Sequence, residues 1–172
     1  MATTPLEFNR VAIAVHPQNE QAYSLAKEIG SSLEESGKAV LLGRMDDISL
    51  RSGVQKGTQD LLIALGGDGT MLRAGHISAA SQTPILGINL GRYGFLTEIQ
   101  RDEWPVALQR VIDGDYWLER RMMLESVLFR AEKEFGRWNA LNDAVISRGE
   151  TIRPVELEII INNRHLSTIV AD

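Results

Sequence analysis

Short apolar runs alternate with longer amphipathic stretches through the first two-thirds of this chain. Arg10 to Val15 reads RVAIAV, rich in β-branched residues and ended by His16-Pro17, which predicts a buried strand and a turn. From Asn19 to Gly37, Ala22, Leu25, Ala26, Ile29 and Leu33 recur at helical spacing with Glu and Lys opposite, so a helix is expected, with Asn19 as its cap and Gly37 as its stop. Ala39 to Leu42 predicts a second strand. Asp46 to Thr58 is polar and contains glycine, and is expected to be a mobile loop. Asp60 to Leu65 predicts a third strand, Gly69 to Ala80 a helix, and Pro84 to Asn89 a fourth strand. Asp102 to Asp113 predicts another helix, opened near Pro105 and closed by Gly114.

From Tyr116 the period changes from helical to two. MLESVLFRAE, WNALNDAVISRG, VELEIIIN and HLSTIVAD alternate apolar and polar residues, with turns expected at Lys133 to Gly136 and at Asn162-Asn163. Arg120-Arg121 are expected on the polar face of a strand. The fold class that follows is an α/β N-terminal domain with a parallel sheet, then the start of an antiparallel β-rich domain. The expected division is residues 1–115, a nucleotide-binding domain, and 116–172, a partial substrate domain. The apolar end STIVAD leaves one face of the last strands without cover, which predicts a chain cut inside a domain.

Composition narrows the class. Of 172 residues, 44% are hydrophobic and 24% charged, as in a soluble globular protein. A net charge of −5 offers no basic footprint for nucleic acid or an anionic membrane. With no cysteine, disulfides and thiolate metal sites are excluded. His16, His76 and His165 show no metal-ligand spacing. No signal-peptide core or bilayer-length apolar run is present, so a cytoplasmic location is expected.

Two glycine-rich turns fall at predicted strand ends, where parallel sheets bind ligands. One is Gly66-Gly67-Asp68-Gly69, the other Gly87-Ile88-Asn89-Leu90-Gly91-Arg92-Tyr93-Gly94. Glycines there allow positive φ and close approach of a ligand, and a helix opening at Gly69 or Thr70 would present free N–H groups to an anion. The Lys-Ser/Thr pair of a P-loop is absent, and Leu72 stands where a dinucleotide fingerprint has its third glycine. Asp68 sets this turn apart. Its carboxylate could accept a proton from an attacking hydroxyl, hold a divalent cation beside phosphate, or only close the turn by accepting backbone N–H groups.

GGDGT after an apolar strand resembles a kinase superfamily that includes NAD kinases, 6-phosphofructokinases and lipid kinases. GINLGRYGFLTE, Gly87 to Glu98, is similar to the segment written GINLGxLGFLTD in bacterial NAD kinases, and ALNDAVI, Ala140 to Ile146, resembles that family's LNE/D strand. The resemblance implies ATP-dependent phosphorylation of the adenosine ribose 2′-hydroxyl of NAD, with a divalent cation, Mg2+ or Mn2+. It implies Asp68 as proton acceptor and Gly67, Gly69 and Thr70 against the dinucleotide. Arg73 would be a nearby cation and Phe95 an apolar face for the adenine. Asn142 and Asp143 would bond ribose hydroxyls, Arg153 would contact ligand, and Asp172 would face the nicotinamide end. Asp143 stands where many relatives carry Glu, which shortens its reach. The family's TPTGS-type motif is not present, so this chain by itself is expected to be inactive. Tyr93, His76 and the tryptophans Trp104, Trp117 and Trp138 read as packing, solvent or interface residues. Exposed strands suggest a homo-oligomer, dimer or tetramer. The competing readings are a lipid or sugar kinase sharing GGDGT, and a non-catalytic nucleotide-binding module.

Overall fold

The computed structural model describes residues 7–91, 94–97, 99–147 and 154–171. Its elements run β1 (Arg10–Val15), α1 (Glu20–Glu35), β2 (Ala39–Arg44), α2 (Ile48–Gln55), β3 (Leu61–Gly66), α3 (Asp68–Ser78), β4 (Ile85–Asn89), β5 (Ile99–Gln100), α4 (Trp104–Ile112), β6 (Leu124–Arg130), β7 (Lys133–Ala140), β8 (Val155–Ile161) and β9 (Arg164–Ala171). The first five strands form one parallel sheet in the order β2-β1-β3-β4-β5, and the last four form two antiparallel hairpins. This is the expected fold class. The described residues divide into two compact units, one ending at Met122 and one beginning at Met123.

In the first unit the sheet is covered on both faces, which is why its central strands are continuously apolar. Val11, Ile13 and Val15 of β1 and Leu61, Ile63 and Leu65 of β3 pack against Leu25, Ile29 and Leu33 of α1 and Leu108 of α4. The alternate positions, Ala12, Ala14, Leu62 and Ala64, face Leu50 and Val54 of α2 and Ala74 and Ile77 of α3. Each fully buried Ile or Leu contributes about 1.5–3 kcal/mol, so β1 and β3 are held from above and below. The Asn19 side chain accepts from the Ala22 amide at 3.0 Å and caps α1, and Gly37, at φ 78°, ends it, both as expected.

The expected loop over Asp46 to Thr58 is instead largely helix α2. Asp47 Oδ1 accepts from the Ser49 and Leu50 amides at 2.8 and 3.2 Å and so starts it. Leu50 and Val54, four residues apart, bury its inner face. Gly53 reads as a breaker in the sequence, yet it lies within the helix, where a Cβ would make only ordinary contact with Leu41 and Thr58 at 3.4 Å. Strand β5, only two residues long, was too short to leave a pattern.

Asp60 ties the amino ends of β1 and β3 together. Its Oδ2 accepts from the Asn9 and Arg10 amides at 3.0 and 2.8 Å, and its Oδ1 from Arg10 Nη2 at 2.6 Å. The Arg10 guanidinium, reinforced by the two amides, holds the Asp60 carboxyl below its usual range. A carboxyl depressed in the folded state adds stability that is present above its unfolded value and lost as the pH falls through the folded one. Acid melts should therefore show a steepening loss below about pH 4. Asp60→Asn should remove part of that slope and cost about 1–2 kcal/mol at pH 7. An unchanged acid limb in the variant would rule the clamp out.

In the second unit no described residue is buried. Two-stranded hairpins are marginal alone in water, and here Leu128, Phe129, Trp138, Ile160, Ile161 and Val170 stay exposed. The β8–β9 turn falls at Asn162-Asn163, both left-handed, as expected. The β6–β7 turn does not fall at Lys133 to Gly136. It lies at Ala131-Glu132, with φ 48° and 63°, and Lys133 to Gly136 belong to β7. Gly136 looked like a turn residue, but it is glycine because the Trp138 ring lies across it. The strand expected through Asn142 to Ile146 ends at Ala140. Arg120 and Arg121 precede β6, and Arg121 pairs with Glu119 at 3.1 Å.

Candidate functional site

In a sheet of this order the crevice opens at the carboxyl ends of β1 and β3, where consecutive connections leave in opposite directions. Gly66 ends β3 and Asp68 begins α3, so the GGDG turn occupies that place. Gly67 caps the helix with extended backbone, φ −105° and ψ −164°, and Gly69 is helical. The positive φ expected of these glycines is therefore absent. Their use is spatial. A Cβ at Gly67 or Gly69 would touch nothing within 4 Å, so the first-turn backbone lies open to an approaching group, and such N–H groups favour an anion. Gly66 differs: a Cβ there would stand 2.7 Å from Thr70 Cβ, so Thr70 packs beneath it, buried, with its amide bonded to the Gly67 carbonyl at 2.9 Å.

The half-buried Asp68 carboxylate joins the two glycine-rich turns. Oδ2 accepts from the Phe95 amide at 3.1 Å and Oδ1 from the Leu96 amide at 3.0 Å, across 27 and 28 residues of chain. The approach depends on Gly94, where a Cβ would run into Asp68 Oδ1 and lie 3.0 Å from Cγ. It depends also on Gly87 of β4, where a Cβ would meet Met71 Sδ of α3 at 2.6 Å. Asn89, almost wholly buried, accepts from the Gly91 amide at 3.0 Å and shapes the start of the second turn. Phe95, whose amide meets the carboxylate, is 97% exposed, so its apolar ring stands in solvent. Thr97 is 5% exposed, and its Oγ1 has no hydrogen-bond partner among the described residues. A buried hydroxyl left unpaired costs about 1–3 kcal/mol.

Gly67, Asp68, Gly69, Thr70 and Phe95 are thus brought together, although the Thr70 side chain faces inward. Arg73 lies exposed on α3, and no ion pair involving it occurs among the described residues. Asn142 and Asp143 belong to the second unit, exposed just beyond β7. Arg153, Asp172 and Tyr93 lie outside the described residues. Sequence reasoning missed the Phe95 and Leu96 amides, because backbone donors leave no residue signature. It also missed Gly94 and Thr97 as neighbours of the carboxylate. A cleft of about 570 Å³ at the ends of β1 and β2, lined by His16, Tyr23, Lys27, Arg44 and Asp47 among others, was likewise not foreseen.

Residues 49–116, which contain both glycine-rich turns, match the sequence model of the ATP-NAD kinase N-terminal domain. The chain is similar to NAD kinases. A NAD kinase of Symbiobacterium thermophilum is 39% identical over 170 residues, covering 95% of this chain and 60% of that protein. One from Moorella thermoacetica is 49% identical over 111 residues, covering 64% of this chain and 35% of that protein. The crystal structure of yeast NADH kinase complexed with NADH superposes with a TM-score of 0.79 over 96% of this chain and 56% of that one, at 22% identity, which shows a shared fold. The chain spans about 60% of the length of the first of these NAD kinases. Among the described residues no helix is long and apolar enough to cross a membrane.

Proposed function

We propose that this chain carries the acceptor-activating part of an NAD kinase, which transfers the γ-phosphoryl group of ATP to the 2′-hydroxyl of the adenosine ribose of NAD. The observation that carries the reading is the Asp68 carboxylate: it sits at the open amino end of α3 and is oriented by the amides of Leu96 and of the exposed Phe95. Each oxygen uses one lone pair on an amide and keeps capacity for another donor. A ribose 2′-hydroxyl placed there donates to Asp68 as its oxygen attacks the γ-phosphorus. The new O–P bond forms, the bond to ADP breaks, and the proton passes to the carboxylate. Phe95 offers the adenine a face, and the N–H groups at Gly67 and Gly69 face phosphate.

Asn142, Asp143, Arg153 and Asp172 complete the proposed binding set, the first two through ribose hydroxyls, and Arg73 adds positive charge. Among the described residues no three His, Asp or Glu side chains converge to hold a metal. A divalent cation would therefore be held chiefly by the donor's phosphates, as Mg2+ ordinarily is, and would neutralise their charge. The protein is proposed to be cytoplasmic and to form a dimer or tetramer through its exposed apolar strands, which light scattering would size.

A substrate panel tests the reading. A full-length protein carrying this chain should form NADP from NAD and ATP and leave sugars and diacylglycerol untouched. The 172-residue chain alone should bind NAD weakly in calorimetry and show no more than trace turnover. Phosphorylation of a lipid or sugar in preference to NAD would move the assignment elsewhere in the superfamily. Tight binding with no turnover by the full-length protein would leave a nucleotide-binding module.

A further inference from the structure

Thr97 presents a chemical question the reaction leaves unanswered: a hydroxyl is enclosed where nothing described bonds it, next to the group the reaction needs. Three observations locate it. Its Oγ1 would lie 3.1 Å from a Cβ placed on Gly94. The Asp68 carboxylate borders that same missing-Cβ position, with Cγ at 3.0 Å and Oδ1 closer still. On its other side the Thr97 methyl, Cγ2, would lie 3.2 Å from a Cβ on Gly87, beside Met71 of α3. The side chain is thus wedged between β4 and the second turn, methyl toward the strand and hydroxyl toward the point beside Gly94 that the Asp68 carboxylate also borders.

A buried hydroxyl pairs with the nearest acceptor that has capacity left. The carboxylate has about four lone-pair sites, and the Phe95 and Leu96 amides occupy two. We propose that Thr97 is a positioning residue for Asp68: its hydroxyl, unpartnered as it stands here, turns to donate to the neighbouring carboxylate as a third donor beside the two amides. Thr97 and Leu96 are adjacent in sequence, so one short segment then grips the carboxylate from backbone and side chain together. The third bond restrains the carboxylate against rotation about its Cβ–Cγ bond, a freedom that two amides on separate oxygens limit incompletely. Enclosed as it is, Thr97 takes no part in substrate contact. The proposal rests on Asp68 acting as the proton acceptor only for its catalytic consequence, since the grip itself is a property of the folded chain.

Two readouts test it. Thr97→Val keeps the shape and removes the hydroxyl, and Thr97→Ser keeps the hydroxyl and removes the methyl. In the 172-residue chain, amide hydrogen exchange at Phe95 and Leu96 should accelerate about tenfold in T97V and stay within about twofold of the parent in T97S, as expected when one hydrogen bond to a charged group is lost. In a full-length protein carrying the chain, T97V should lower kcat about 10–100-fold with the KM for NAD little changed, and T97S should recover it, because a misplaced catalytic group weakens the chemical step. Parent-like exchange in T97V would overturn the proposal. So would equal damage from T97S and T97V, which would assign the role to the methyl packing on Gly87. The exchange measurement involves no turnover: if T97V loosens the amides while removal of the Asp68 charge spares activity, the grip stands and the proton-acceptor role falls.

Discussion

Asp68→Asn lowers kcat for NADP formation by about 10²–10⁴-fold in a full-length protein carrying this chain, the range expected when a general base is removed. The KM for NAD should change little, because the side chain keeps its size and most dinucleotide contacts lie elsewhere. The geometry makes the substitution more informative than usual. The carboxylate accepts from two amides, one on each oxygen. An asparagine can accept on only one side, and its NH2 group then faces the other amide, donor against donor. The second turn should therefore loosen, and melting should fall by an amount equivalent to about 1.5–3 kcal/mol. A coupled NADP assay and a thermal melt separate the two effects. Lost stability with unimpaired turnover would mean that Asp68 only closes the turn, which is the bland reading its amide bonds make concrete.

Gly94→Ala is the second large effect, and it leaves every proposed reacting group chemically unchanged. An added methyl falls on Asp68 Oδ1 and Cγ. It must push the carboxylate off the two amides or push the turn off α3. Neither neighbour is the free end of a flexible side chain, since both are bonded in place. Overpacking of this kind costs about 1–3 kcal/mol, and a displacement near 1 Å at a catalytic group costs about 10²-fold in rate. The variant should therefore lose most of its turnover while still folding, with the Phe95 and Leu96 amides exposed to exchange. A fully active Gly94→Ala would show that the carboxylate need not stand where this structure has it.

Much of the fold was legible because its signals are local. β1 and β3 are apolar runs bounded by polar residues, and α1 shows its buried stripe, cap and stop within one stretch of chain. α2 was hidden because two buried residues and a side-chain cap make a helix too short for periodicity to report, and Gly53 argued the other way. The β6–β7 turn was misplaced because Ala131 and Glu132 are not turn formers, while Gly136 lies under the ring of Trp138, two residues along the same strand.

The same division holds at the site. Gly66, Asp68 and the apolar strand before them mark a ligand turn from composition and order alone, because backbone freedom and charge belong to the residues themselves. The second turn could be recognised, but not its attachment to the first. That Asp68 meets the Phe95 and Leu96 amides, that Gly94 makes room for it, and that the Thr97 hydroxyl is enclosed beside it were settled only when β3 and β4 paired in register and brought distant segments together. Hydrogen bonds to backbone and close approach at a missing Cβ are relations between positions, and a linear string of side chains does not carry them.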